Sequence, residues 1–189
     1  VCVKSNHTKR YMGVAMLVNL SDVLTTEGKQ ADMEVPLEMD CFESRMGSFP
    51  IKEKSPVKFT FTNIGKGKAR IEGNVELLFQ TNCDRCLEEV PTRLSLQFER
   101  VAASPEITNE DELVDDLSFM EGYQLNVEIF VYNEIIGNWP AKILCKEDCK
   151  GLCPVCGQNL NVRDCGCDTF VPDPRMAVIQ DIFKGDKEV

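Results

Sequence analysis

Cysteine is the residue type most able to do chemistry in this chain: it has ten in 189 residues, six of them between positions 145 and 167. Cys153-Pro154-Val155-Cys156 followed by Gly157 is a turn that aims two thiolates at one point, with backbone N–H groups facing the sulfurs. Cys165-Gly166-Cys167 supplies a second pair, and four such thiolates suit a closed tetrahedral zinc site with no position left for water. Cys145 and Cys149 remain, and a further pair, Cys83-Asp84-Arg85-Cys86, lies upstream. The spacing allows one zinc ion with spare thiols, or two ions using all eight cysteines with the second held by Cys83, Cys86, Cys145 and Cys149, and it does not fix the pairing. Iron–sulfur clusters accept the same thiolate sets, so the spacing names a metal before it names zinc. Disulfides fit less well, because no targeting segment is evident and Cys165 and Cys167 are awkwardly close for a bridge. A redox thiol would sit at a helix N-terminus after a strand, whereas Cys83 and Cys86 lie between two strand-like runs. Lys142, Lys146, Lys150 and Arg163 surround the cysteine-rich segment and are expected to offset its thiolate charge.

Other groups offer less. His7 is the sole histidine and lies in a doubtful leader, so the usual general base near neutral pH is missing and no nucleophile–histidine pairing can be built. No glycine-rich phosphate loop is present, and the reading is that the chain is not an enzyme. The formal net charge is -10, from 21 basic and 31 acidic residues, which excludes a globally basic nucleic-acid binder. Its distribution is uneven: residues 1–100 balance to zero, while residues 101–141 carry nine acidic side chains and no Lys or Arg. Within that stretch Glu110, Asp111, Glu112, Asp115 and Asp116 form either a solvated loop or a surface for a basic protein. Conversely, Lys52, Lys54, Lys58, Lys66, Lys68 and Arg70 face only Glu53 as a nearby acid, and Phe59 and Phe61 interleave with them. On a hairpin these lysines either contact phosphate, with the phenylalanines in the core or stacked on bases, or form an ordinary solvated face.

The elements that must hold these groups are mostly strands. Val57, Phe59 and Phe61 alternate, as do Ile71, Val75, Leu77 and Phe79, and later Leu94, Leu96 and Phe98. Gly65-Lys66-Gly67 reads as a turn, Gly73 as a bulge or bend, and residues 16–23 as a strand. Leu125, Ile129, Tyr132 and Ile136 recur at helical spacing and predict a helix near 124–136, stopped by Gly137 and Asn138. The expected fold is α+β: an antiparallel, strongly curved or barrel-like β-sheet with few helices and a zinc-ribbon-like cysteine module. The expected division is a disordered leader or over-extended start at 1–15, a β-rich domain at 16–141, the cysteine-rich module at 142–170, and a short C-terminal helix and tail at 171–189. Asp173-Pro174 opens that last helix, and Met176, Ile179 and Phe183 give it an apolar face. No run reaches membrane-spanning length, which predicts a cytoplasmic protein.

The motifs resemble those of the bacterial and plant YceD family, the large ribosomal RNA subunit accumulation proteins. The resemblance rests on Cys83 to Glu88, on the block from Cys145 to Asn161, on Cys165-Gly166-Cys167, and on Asp173-Pro174-Arg175-Met176-Ala177-Val178-Ile179. It extends over about 16–184. The resemblance implies a cytoplasmic, non-enzymatic factor for accumulation or processing of large-subunit ribosomal RNA. Its implied partner is a basic large-subunit ribosomal protein or a pre-ribosomal particle, with direct binding of ribosomal RNA as the alternative and no membrane association. Members lacking the cysteine-rich block imply that this module is a stabilising addition rather than the source of the shared activity.

Overall fold

The computed structural model describes residues 16–106 and 118–168. The leader at 1–15, the acidic residues Glu110, Asp111, Glu112, Asp115 and Asp116, and the C-terminal helix expected at 171–189 all lie outside the described residues. The chain divides into two units, one of residues 1–82 with 89–143, the other of residues 83–88 with 144–189.

Among the described residues, the first unit is mostly antiparallel sheet with two helices. In chain order it runs β1 (Leu17–Asn19), α1 (Ser21–Thr25), β2 (Gln30–Val35), β3 (Cys41–Ser44), β4 (Gly47–Lys54), β5 (Val57–Gly65), β6 (Lys68–Asn82), β7 (Glu89–Ala103), β8 (Met120–Glu121), β9 (Gln124–Asn126) and α2 (Val127–Asn138). Its spine is the β6–β7 hairpin, paired without a break from Lys68 opposite Ala103 to Asn82 opposite Glu89. Alternation drives it: Ala69, Ile71, Val75, Leu77 and Phe79 point into the core, while Arg70, Glu72, Asn74 and Glu76 between them are polar. On the other side of β6, β5 pairs with the first half and β4 with the second, and β2 and β3 extend those two wings. The β5–β6 turn takes positive φ at Gly65, Lys66 and Gly67, as its two glycines predict.

The sheet does not close into a barrel. Among the described strands, β2 pairs only with β5, β3 only with β4 and β7 only with β6, so no strand bridges the two wings to the far side of the hairpin. Gly73 also differs from expectation, since the ladder passes through it without a register shift. A Cβ there would collide with the carbonyl oxygen of Lys58 and stand 2.8 Å from the Phe98 ring. The glycine allows close approach of β5 and of Phe98 rather than making a bulge.

Beside this sheet lies a three-stranded one, ordered β1, β9, β8. The strand expected at 16–23 ends at Asn19, whose Oδ1 accepts a hydrogen bond from Ser21 N at 2.9 Å and turns the chain into α1. The helix expected near 124–136 spans Val127–Asn138 instead, because Gln124–Asn126 is strand and the Asn126 side chain caps the helix by accepting from Ile129 N at 3.2 Å. Its buried face is also not the expected one: Val127, Phe130, Val131 and Ile135 pack inward, Ile129 and Tyr132 are half-buried, and Ile136 is exposed. A segment apolar on nearly every side carries more than one helical stripe, and position in the fold chooses between them.

Phe130 places α2 against the sheet, with ring centroids 4.9 Å from Phe98, 5.7 Å from Phe59 and 5.0 Å from Phe119. Full burial of each such ring stabilises by roughly 1.5–3 kcal/mol. Arg100 on β7 ties the helix further, its Nε 2.8 Å from Oε1 of the buried Glu134. Just beyond the helix, Trp139 stacks on Phe42 at 5.1 Å, lies tilted against Phe49 at 4.7 Å and meets Phe79 edge-on. No described helix is long and apolar enough to cross a membrane.

Candidate metal centres

The second unit brings together all eight cysteines singled out by spacing. They form two groups, Cys83, Cys86, Cys145 and Cys149, and Cys153, Cys156, Cys165 and Cys167, with every sulfur in a group within 4.8 Å of the others. Each group could hold a metal ion. All eight are free thiols rather than disulfides. In the first group Cys83 Sγ lies 3.8 Å from Cys149 Sγ, and Cys86 Sγ 3.5 Å from Cys145 Sγ. A regular tetrahedron with metal–sulfur bonds of about 2.3 Å has edges of about 3.8 Å, so these separations fit one ion between four thiolates.

The two Cys-x-x-Cys turns share one backbone frame. Cys83 N donates to Glu88 O at 2.8 Å and Leu87 N to Cys83 O at 2.9 Å; Cys153 N donates to Gln158 O at 2.8 Å and Gly157 N to Cys153 O at 2.9 Å. The residue after the second cysteine takes a left-handed conformation in both, φ 61° at Leu87 and 72° at Gly157. That reversal turns the preceding N–H groups toward the first sulfur. The electrostatics follow. Burial works to raise Cys83, but N–H groups of Cys86, Arg85 and Cys145 outweigh it and hold the thiol down at about 6. At Cys153 the N–H groups of Cys156 and Val155 act in the same way, to about 7.

One thiol of each group is held well above the usual thiol range. Cys86 is drawn down by the Glu88 backbone, yet burial and the facing thiols of Cys83, Cys145 and Cys149 push it up to about 12. Cys167 is pushed up to about 12 by Cys156 and Cys165 and then by burial. Four thiolates in so small a volume repel one another, and a divalent cation is the natural counter-charge.

Residues outside the cysteine pattern hold the first group in place. Asn161 Nδ2 donates to Cys149 Sγ at 3.2 Å and to Asn159 Oδ1 at 3.0 Å, and Asn161 Oδ1 accepts from Lys150 N at 2.9 Å. Burial opposes the ionisation of Cys149, but the Asn161 amide and the Gly151 N–H lower its pKa overall. Arg85 Nη1 donates to Cys149 O at 2.8 Å, Leu152 N to Arg85 O at 3.1 Å, and Asn159 Nδ2 to Glu88 Oε1 at 2.9 Å. Spacing rules that count cysteines do not reach Arg85, Glu88, Asn159 or Asn161. The signal that could have found them is the amide pair Asn159 and Asn161, polar groups of fixed geometry directly after a metal-binding turn. The lysines expected to offset thiolate charge are partly otherwise engaged: Lys146 pairs with Asp148 at 3.8 Å and Lys150 with Asp164 at 3.5 Å.

The basic run is scattered in the first unit. Lys52, Lys58 and Lys66 are exposed, Lys54 binds Met39 O and Asp40 Oδ1 at 3.1 and 2.8 Å, Lys68 is buried, and Arg70 pairs with Glu99 at 3.3 Å. Phe59 and Phe61 are core residues, 2% and 0% exposed, and so are not presented for base stacking.

The model of the large ribosomal RNA subunit accumulation protein family, YceD, matches residues 71–183. That is more than half of the chain, and it takes in β7, most of β6, α2 and every cysteine of both groups. The chain belongs to the YceD family. The family's role is in accumulation of large-subunit ribosomal RNA. Neither the curated proteins nor the solved structures gave a match.

Proposed function

We propose that this YceD protein is a non-enzymatic assembly factor of the large ribosomal subunit, acting in the bacterial cytoplasm. It supports accumulation or processing of the ribosomal RNA by holding a basic ribosomal protein or an assembly intermediate. The family match carries the reading. The charge distribution supports protein as the direct partner: the acid excess sits in one stretch free of Lys and Arg, while half of the basic run is buried or paired. Zinc is the ion assigned to the cysteine groups, as a structural element. Two closed sets of four thiolates leave no coordination position for an activated water, which supports a scaffold rather than a hydrolase.

The test is capture of the tagged full chain with its native partners, with and without ribonuclease. Retention of a basic large-subunit protein after digestion is the expected result. Loss of all partners on digestion overturns it in favour of direct RNA binding, for which Lys52, Lys58 and Lys66 are the exposed candidates.

A further inference from the structure

We propose that the two cysteine groups are separate zinc centres of unequal exchange, the first retaining its ion and the second giving it up readily, with Asn161 as the positioning residue of the first. This deepens the zinc reading above and does not depend on the ribosomal one.

The asymmetry is one of access and of attachment. In the first group Cys83, Cys86 and Cys149 are buried, at 0%, 4% and 2% exposure, and Cys145 is half-buried. In the second only Cys153 is buried; Cys156 is exposed, and Cys165 and Cys167 are half-buried. A chelator removes zinc by reaching the ion while one thiolate swings away, so an exposed ligand on a loose arm sets the rate. The arm bearing Cys165 and Cys167 is linked to Lys150 through Asp164 at 3.5 Å, an exposed ion pair of little strength.

The first group is tied far more firmly. Its ligands come from two distant stretches, and those stretches are stitched by Arg85 to the Cys149 carbonyl, Leu152 to the Arg85 carbonyl, and Asn159 to Glu88. Cys149 cannot swing out without breaking its bond from Asn161, and the Cys83–Cys86 turn cannot move away without disturbing the bonds of Arg85 and Glu88. Asn161 is itself fixed at both ends of its amide, by Lys150 N and by Asn159 Oδ1, so its N–H is aimed at the sulfur rather than merely near it. Such a donor fixes the thiolate's direction and spreads its charge.

The full chain is prepared anaerobically with zinc, its metal content measured, and then challenged with EDTA and a chromophoric zinc indicator. Two zinc ions per chain are expected, one released in a fast phase and one in a slow phase. Cys156→Ser should abolish the fast phase and keep the slow one. Asn161→Leu should weaken retention in the slow phase by about 10–100-fold and leave the fast phase unchanged. In the cobalt-substituted protein, Asn161→Leu should also shift the thiolate-to-metal band of the slow centre, a change that loosened packing alone does not produce. Release of both ions in one phase, loss of the slow phase in Cys156→Ser, or an unaltered slow phase and cobalt band in Asn161→Leu would overturn the proposal. A preparation without zinc would overturn both this and the zinc assignment, while leaving the partner-capture result to stand by itself.

Discussion

The shared frame of the two turns makes a reciprocal prediction. Gly157 and Leu87 occupy the same left-handed position, yet only one of them is glycine. An L-residue in that region carries a penalty of roughly 1–2 kcal/mol. A Cβ at Gly157 would meet nothing within 4 Å, so Gly157→Ala adds conformational strain without a clash. Because metal binding in such a module is also folding energy, a penalty of about 1 kcal/mol weakens the ion at the Cys153 centre about fivefold. Leu87→Gly runs the other way. Leu87 is 62% exposed, so little burial is lost, and relief of the backbone is opposed only by the added freedom of glycine in the unfolded chain. The net is a gain of a few tenths to about 1 kcal/mol at the Cys83 centre. Cadmium-substituted protein titrated with a competing chelator reads both centres at once, since each gives its own NMR resonance. If Gly157→Ala leaves its centre unchanged, or if Leu87→Gly weakens the other, the left-handed position does not govern the site.

Two further outcomes concern the sheet unit. Gly73→Ala should destabilise by about 1–3 kcal/mol in urea unfolding with zinc content unchanged, because the new Cβ overpacks the Lys58 carbonyl and Phe98; a change within about 0.5 kcal/mol would show that β5 can withdraw freely. Glu128 has its pKa raised by burial and then by Glu38, against a lowering by Lys54, so its native form binds a proton more tightly than the unfolded chain does. Its contribution is therefore fully present below the ordinary glutamate range near about 4.3 and is lost as pH rises through the raised value. The wild-type stability relative to Glu128→Gln should fall across that window, and parallel stability curves would refute the assignment.

The parts of this fold that were legible beforehand are those where one physical rule acts alone. Alternation at Val57, Phe59 and Phe61 has a single solution, a strand with one wet face, and those residues are buried as the pattern requires. The two four-thiol groups are those that spacing offers as the two-site alternative, but spacing does not choose between one site and two, because it restricts distance along the chain and not which turn meets which. Tertiary structure supplies that choice through Arg85, Asn159 and Asn161. Around α2 two rules competed. Gln124–Asn126 could have begun the helix by periodicity, yet they pair with β1, and Asn126 then serves as the cap. At Gly73 the sequence is ambiguous, because a glycine in a strand signals either a bulge or a close neighbour, and only the neighbour's position distinguishes them.

Cys83 and Cys86 form the tip of the long hairpin, while Cys86 and its neighbour Cys145 are 59 positions apart. During synthesis at about 5–20 residues per second, the earlier pair is finished about 3–12 s before its partners leave the exit tunnel. For that interval the growing chain presents two thiols with half a coordination shell. Two ligands hold a zinc ion weakly, so the pair is then open to oxidants and to capture by other thiols. The β6–β7 ladder ends at Asn82 opposite Glu89, so pairing of β7 with β6 draws together the two ends of the segment that carries Cys83 and Cys86 before Cys145 and Cys149 are made. Lengthening the chain between β7 and Cys145 would extend this vulnerable period in proportion to the residues added.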